Sequence, residues 1–431
     1  MDNLIAIYLF AFRRQNTKNS FVKKAMNYSG IRLCSLNLGI ILTLTLCGCQ
    51  EDLSLSSDSL PSNNSQSTNI SQSTNMETSS SEIKTLSEAI VAPPSTLDYD
   101  QVPISDLFVD SKRYEYPYDT KFIPTYLSED NVLYGEGDAS SDRTALFLAS
   151  YDLNDGEFKK IADMNSQSEQ ASIGIISADK DLVIYEESDQ SNNISRYYLY
   201  DLKNDSAKEI YSIANIPALH YTQAVISSNG IMFNFYNPEN GFYTNQFYSF
   251  QDENFTAVEN DNCGFPIECN GLWYYLKIDN QNLVTQLIEL DLSTRNKTVL
   301  YETNNGDNYI SGLYSNGNEM FITVNKGNEI YLGRVDLENC QIEYLIQSDW
   351  IESVQVNEDY ISWLGSNTLS DRVRPQYYLY GIGKGVLYQN DGGPIFLADN
   401  SMVWVEYKKK DSEINKGEIY QNGNTDLVLK N

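Results

Sequence analysis

The chain has 431 residues, with 59 acidic side chains against 30 basic ones, a net charge of −29 and a single histidine. That balance opposes nucleic-acid phosphates and anionic headgroups, which are bound through basic patches. The lone histidine also excludes a catalytic metal held by several imidazoles.

At the N-terminal end, Leu33 to Leu46 is mostly apolar and carries no charge. These 14 residues fall short of the ~20 needed to cross a bilayer. They suit the apolar region of a secretory signal, with Lys23, Lys24 and Arg32 as its basic flank. Leu46-Cys47-Gly48-Cys49 follows. A metal clasp built on Cys47 and Cys49 needs further ligands nearby, and residues 50–99 contain neither Cys nor His. The four residues instead look like the bacterial lipobox. The resemblance implies a signal peptide over 1–48, with Met26 as an alternative start, cleavage before Cys49, and a diacylglycerol on Cys49. It places the chain on the extracytoplasmic face of the cell membrane. Two acyl chains are about what stable attachment requires. The Asn-, Tyr-, Ile- and Lys-rich composition points to a Gram-positive host. Without residues 1–48 the chain carries 24 basic and 58 acidic residues, a net charge of −34.

Residues 50–96 are rich in Ser, Asn, Thr and Gln and contain the repeat Ser65–Ile70, Ser71–Met76. Such a segment buries too little apolar surface to offset chain entropy, so 49–96 reads as the anchor plus a flexible linker. In 97–120, Leu107-Phe-Val109 and Tyr114-Glu-Tyr-Pro-Tyr118 mark a lead-in and a candidate closing strand.

From residue 121 to 431 the chain repeats. A short turn recurs as Ser128-Glu-Asp130, Ser177-Ala-Asp179, Ser228-Asn-Gly230, Cys269-Asn-Gly271, Ser315-Asn-Gly317, Asn357-Glu-Asp359 and Ala398-Asp-Asn400, on average 45 residues apart. Each turn joins segments rich in Val, Ile and Tyr, as strands are. A third strand leaves through Tyr151-Asp-Leu153, Tyr200-Asp-Leu202, Leu290-Asp-Leu292 and Val335-Asp-Leu337, with weaker copies such as Ile419-Tyr-Gln421. Four strands per ~45 residues is the pattern of a β-propeller blade, and a ring of blades leaves few exposed edges. The expected fold is an all-β propeller of four-stranded blades, with seven repeats. The unit resembles the TolB-like, WD40-like repeat family, in which a Ser-Pro-Asp-Gly turn precedes a Leu-Tyr-x-x-Asp-Leu-like strand. Ser177-Ala-Asp179-Lys180 and Leu199-Tyr-Asp-Leu202 stand in those places, and the Pro is missing from every copy. The resemblance implies a fold, and in many members six blades.

Past Cys49 only Cys263, Cys269 and Cys340 remain, an odd number. Six residues of extended chain separate the first two by ~20 Å, beyond disulfide reach unless Gly264-Phe-Pro266 bends. They read as small buried side chains.

Catalytic motifs are scarce. A Ser-His-Asp triad must use His220, and no G-x-S-x-G elbow exists. No hydrolase segment follows the propeller in this sequence, which argues against a prolyl-oligopeptidase arrangement. Asp152-Leu-Asn-Asp155-Gly156 has the wrong spacing for a calcium loop and reads as a tight turn. Glu186 and Glu187 are adjacent, so on a strand they point to opposite faces; they read as solvated loop acids. Lys408-Lys-Lys410, followed at once by Asp411 and Glu413, reads as a solvated loop.

Binding has more to work with. Loops between second and third strands and linkers between blades gather at one mouth of the channel. Those linkers carry His220, Tyr221, Tyr309 and Trp350, the candidate ligand-binding residues, because aromatic side chains with a polar edge suit sugar or peptide recognition. Trp273, Trp363 and Trp404 fall on second strands and read as core between blades. The expectation is a non-enzymatic binding module without cofactor, whose partner is a protein or a cell-envelope component. The alternative is a propeller enzyme, of lactonase or lyase type, with a carboxylate-bound divalent metal.

Overall fold

The computed structural model describes residues 86–88, 93–95, 102–104, 112–115, 122–137, 146–166, 168, 170–217, 220–279, 284–303, 308–367, 374–390, 393–399, 401–407 and 425–430. The signal segment, Cys49, Lys408–Lys410 and the third-strand copy at 419–421 lie outside them.

Three short strands precede the repeats: β1 (Ser87–Glu88), β2 (Val102–Pro103) and β3 (Lys112–Glu115). Blade 1 is β4 (Phe122–Leu127), β5 (Val132–Gly137), β6 (Phe147–Asp152) and β7 (Phe158–Asp163). Blade 2 is β8 (Ala171–Ala178), β9 (Leu182–Asp189), β10 (Ile194–Asp201) and β11 (Ser206–Ala214). Blade 3 is β12 (Gln223–Ser227), β13 (Gly230–Asn237), β14 (Phe242–Ser249) and β15 (Asn254–Glu259). Blade 4 is β16 (Cys263–Cys269), β17 (Leu272–Asp279), β18 (Val284–Asp291) and β19 (Asn296–Glu302). Blade 5 is β20 (Asn308–Ser315), β21 (Met320–Lys326), β22 (Glu329–Asp336) and β23 (Gln341–Ser348). Blade 6 is β24 (Ile351–Val356), β25 (Tyr360–Asn367), β26 (Arg374–Gly381) and β27 (Val386–Asn390). Blade 7 takes β28 (Ile395–Ala398), β29 (Ser401–Tyr407) and β30 (Thr425–Lys430) from the C-terminal end, and β3 as its outermost strand.

Among the described residues this makes seven sheets, each antiparallel within its four-stranded blade, and two of them carry a fifth, parallel outer strand. Their inner strands β4, β8, β12, β16, β20, β24 and β28 each touch the next, and β28 returns to β4. The ring is closed around a central channel. Seven buried clusters fill the seven seams between blades. Trp273, Trp363 and Trp404 lie on β17, β25 and β29, second strands all, and each is buried in a different seam.

The seven repeated turns all fall between first and second strands, and their chemistry is visible. Asp179 Oδ1 accepts from the backbone N–H of Asp181 and Leu182 at 2.8 and 2.7 Å. Asn357 Oδ1 does the same for Asp359 and Tyr360 at 3.1 and 2.8 Å. Where Asn270-Gly271 forms the turn, φ is +52° and +76°, the doubly left-handed geometry of a tight hairpin that favours Gly. Gly230 serves differently: a Cβ there would lie 2.1 Å from the Tyr248 carbonyl oxygen.

The Asp-Leu exits join the two turns on that face. Asp201 closes β10 and its Oδ1 accepts from Lys203 and Asn204 N–H at 2.9 and 3.0 Å. Asp336 repeats this on Glu338 and Asn339 at 3.0 and 2.9 Å. Such local bonds are what Asp supplies in turns. The next residue donates back to the first turn: Leu153 to Asn131 O at 3.0 Å, Leu202 to Asp181 O at 3.0 Å.

Two sequence readings change. β9 runs on to Asp189 and β10 starts at Ile194, so Glu186 and Glu187 belong to a strand rather than a solvated loop. They do face opposite ways; Glu187 is fully buried and accepts from Asn165 Nδ2 at 3.1 Å. Ordered chain also lies inside the 49–96 stretch read as linker. β1 adds in parallel to the outer edge of blade 5 and β2 to that of blade 6, before β3 completes blade 7. Composition hides this strap because two-residue strands need only Leu86 and Ile104, both buried, as anchors. Cys263 and Cys269 sit at opposite ends of β16 as buried free thiols, as expected, and Cys340 is free as well.

Candidate functional site

The between-blade linkers gather on the face opposite the repeated turns, here called the upper mouth. His220 and Tyr221 end the linker from blade 2 to blade 3, Trp350 that from blade 5 to blade 6, and Tyr309 opens β20.

His220 does not sit on the rim. Its side chain is only 5 % exposed, in the seam beside β9 and β10. Nδ1 lies 3.1 Å from Pro217 O, and Nε2 bonds Glu186 Oε1 with Ser195 Oγ 3.1 Å away. A carbonyl and an ionised carboxylate only accept, so this geometry favours the protonated ring, in which both nitrogens donate. Burial works against that charge, but Glu186 and Pro217 outweigh it and the pKa is raised. The arrangement differs from a Ser-His-Asp relay, where the carboxylate holds Nδ1 and leaves Nε2 free to take the serine proton. Here carboxylate and serine share Nε2, and Ser195 is fully buried.

The sign of the resulting pH dependence is fixed. A histidine whose folded pKa lies above the unfolded value of 6.5 stabilises fully below about pH 6.5 and loses that contribution as pH rises through the folded pKa. The imidazole proton resonances of this only histidine are expected to titrate above pH 6.5. The urea midpoint should fall with rising pH in the wild type, and His220→Gln should flatten that fall.

Tyr221 is half-buried at the end of the linker before β12. Its hydroxyl accepts from Gln223 Nε2 at 3.0 Å, and its backbone N–H donates to Tyr243 Oη at 3.1 Å. Burial pushes the Tyr314 hydroxyl up to about 12; Thr323 opposes the shift, and Tyr221 and Glu352 add to it. Tyr314 stands one residue before the turn that closes β20 and packs against the seam between blades 5 and 6. Glu352, on β24, has its carboxyl raised by burial and held down by a hydrogen bond from the Trp350 side chain. Glu352 and Trp350 therefore form one half-buried aromatic and acidic pair at the upper end of blade 6, and Tyr221 stands on the upper-mouth linker before blade 3. Tyr309 lies at the upper end of the same strand as Tyr314, and burial pushes its hydroxyl to about 12.

Of the expected residues, the structure keeps Tyr221 and Trp350 on upper-mouth linkers and turns His220 away into the seam. Tyr314, Glu352, Gln223 and Tyr243 are residues the sequence did not single out. A buried histidine needs partners, which is a signal, but Glu186 and Ser195 lie 34 and 25 positions away. Among the described residues, no group of three or more His, Cys, Asp or Glu is placed to hold a metal ion.

No protein-family model and no curated protein matches the sequence. Solved structures do. A prolyl endopeptidase matches with a TM-score of 0.51 and 11 % identity, over 73 % of this chain and 50 % of that one. An oligogalacturonate lyase in complex with manganese matches at 0.49 and 11 %, over 77 % and 97 %. TolB from Acinetobacter baumannii matches at 0.40 and 12 %, over 72 % and 78 %. This chain spans about half the length of the first. At such identities the likeness is one of fold alone: the chain is a β-propeller, and its ligand has to be argued from its own residues.

Proposed function

We propose that this chain is a lipid-anchored propeller that binds a protein partner or a cell-envelope component on the outer face of a bacterial membrane, without catalysis of its own. The observation that carries the binding part is the placement of Tyr221, Glu352 and Trp350 at the upper mouth, half-buried and with Trp350 bonded to Glu352. Aromatic side chains with polar edges, held in place by hydrogen bonds, present contact area at low entropic cost. The location rests on Leu46-Cys47-Gly48-Cys49. Among the described residues no helix is long and apolar enough to cross a membrane.

Acyl labelling of the expressed chain should disappear in Cys49→Ala and persist in Cys47→Ala; the reverse pattern removes the anchor. With the propeller as bait on native envelope, Trp350→Ala and Tyr221→Ala should weaken capture about tenfold or more while keeping the unfolding midpoint near that of the wild type. Full capture by both variants would place the binding surface elsewhere.

A further inference from the structure

The lower mouth of the channel, where the repeated turns lie, opens into a cleft of about 640 Å3. Tyr126 and Glu129 of blade 1, Asp179 and Asp181 of blade 2, Val225 of blade 3 and Glu268 of blade 4 line it. Tyr126 and Glu268 stand on the inner strands β4 and β16, three blades apart, so the cleft lies within the ring.

Three features say what would fill it. Tyr126, on β4, is 36 % exposed, and large apolar side chains left this open are few among the described residues. Next, the lining is acidic. Its lysine, Lys180, stands with four carboxylates, and Lys203 reaches Asp181 from outside at 2.9 Å. Finally, Glu268 has no hydrogen-bond or ion-pair partner among the described residues, and burial raises its carboxyl pKa. Glu129, on the exposed turn beyond β4, is raised by partial burial and by Asp399, with Lys180 opposing the shift. A part-buried carboxylate without a counter-charge is costly, and an incoming cation recovers that cost.

We propose that the lower mouth binds a basic peptide segment of a partner protein, seating a lysine or arginine with its methylene stem on Tyr126 and its charged head at Glu268 and Glu129. Long cationic side chains combine an apolar stem with a charged tip, and this cleft offers both surfaces. A bare metal ion would make no use of Tyr126, and anionic ligands are repelled. The site lies at the other end of the channel from Trp350, so it stands or falls separately from the upper mouth.

The test uses the full chain and a fluorescein-labelled peptide, Ala-Lys-Leu-Ala-Lys-Leu-Ala-Lys, followed by anisotropy at physiological salt, with a Glu-for-Lys peptide as control. The lysine peptide should bind and the glutamate peptide should not. Glu268→Gln and Tyr126→Ala should each weaken binding about tenfold. Trp350→Ala, and Glu338→Gln on an exposed outer turn, should stay within about twofold of wild type. Glu268→Gln is isosteric and removes a part-buried charge, so its melting temperature should hold or rise, which separates lost binding from lost folding. Absence of binding, equal weakening in Glu338→Gln and Glu268→Gln, or unchanged binding in Glu268→Gln would overturn the proposal.

Discussion

Deleting residues 86–115 is expected to unfold the ring under conditions where the full chain is stable. The deletion strips blade 7 of its outermost strand and leaves β30 as a bare edge. It also removes β1 and β2 from blades 5 and 6. Leu86, 5 % exposed, belongs to the cluster between blades 4 and 5, and its N–H donates to Leu300 O at 2.8 Å. Ser87 N–H donates to Cys340 O at 2.8 Å, and Gln347 N–H to Pro94 O at 3.0 Å. Glu88 takes an ion pair from Lys326, whose ammonium lies 4.3 Å from the Tyr344 ring centroid. Ile104 is buried between blades 6 and 7. Truncating either anchor should cost about 2–5 kcal/mol, the range for large-to-small changes in a core. Losing both together with β3 approaches the ~5–15 kcal/mol by which domains are normally stable. Urea unfolding of the deletion, Leu86→Ala and Ile104→Ala reads this directly. A deletion that unfolds at the wild-type midpoint would mean the strap is ornamental and the ring closes without it.

Trp363→Ala should cost about 3–5 kcal/mol, while Trp350→Ala should cost no more than about 1 kcal/mol. Trp363 is fully buried in the seam between blades 5 and 6, and its ring stacks on Tyr378 with centroids 5.4 Å apart. Its indole N–H is buried without a partner among the described residues. Trp363→Phe deletes that orphan donor along with some packing, so it should cost clearly less than Trp363→Ala. Equal effects of Trp363→Ala and Trp350→Ala would contradict the division of tryptophans between seam and mouth.

That division was legible in the sequence because position within the repeat decides burial. A residue two after the repeated turn, such as Trp273, stands on a second strand with a blade on each face. The turns themselves were legible because they rest on local chemistry: Asp179 and Asn357 bond their own turns, and Asp201 and Asp336 bond theirs. The strap was not, since a parallel pair of two residues depends on an edge more than 200 residues away. In the sequence Glu186 reads as a loop acid because its partner, His220, arrives from the next linker. The lower cleft stayed hidden for a different reason. With 59 acidic residues in the chain, nothing local distinguishes Glu268 from the rest. Only the ring brings it opposite Tyr126 and leaves it without a cation.

The central claim is that the upper mouth is where this propeller meets its partner. Hydroxyl-radical footprinting of the propeller, alone and captured on native envelope, reads that surface residue by residue. The account predicts that Trp350, Tyr221 and Tyr309 become protected on capture while buried Trp363 is silent in both states. Protection confined to the outer strands, with Trp350 and Tyr221 as reactive in the complex as in the free chain, would contradict it.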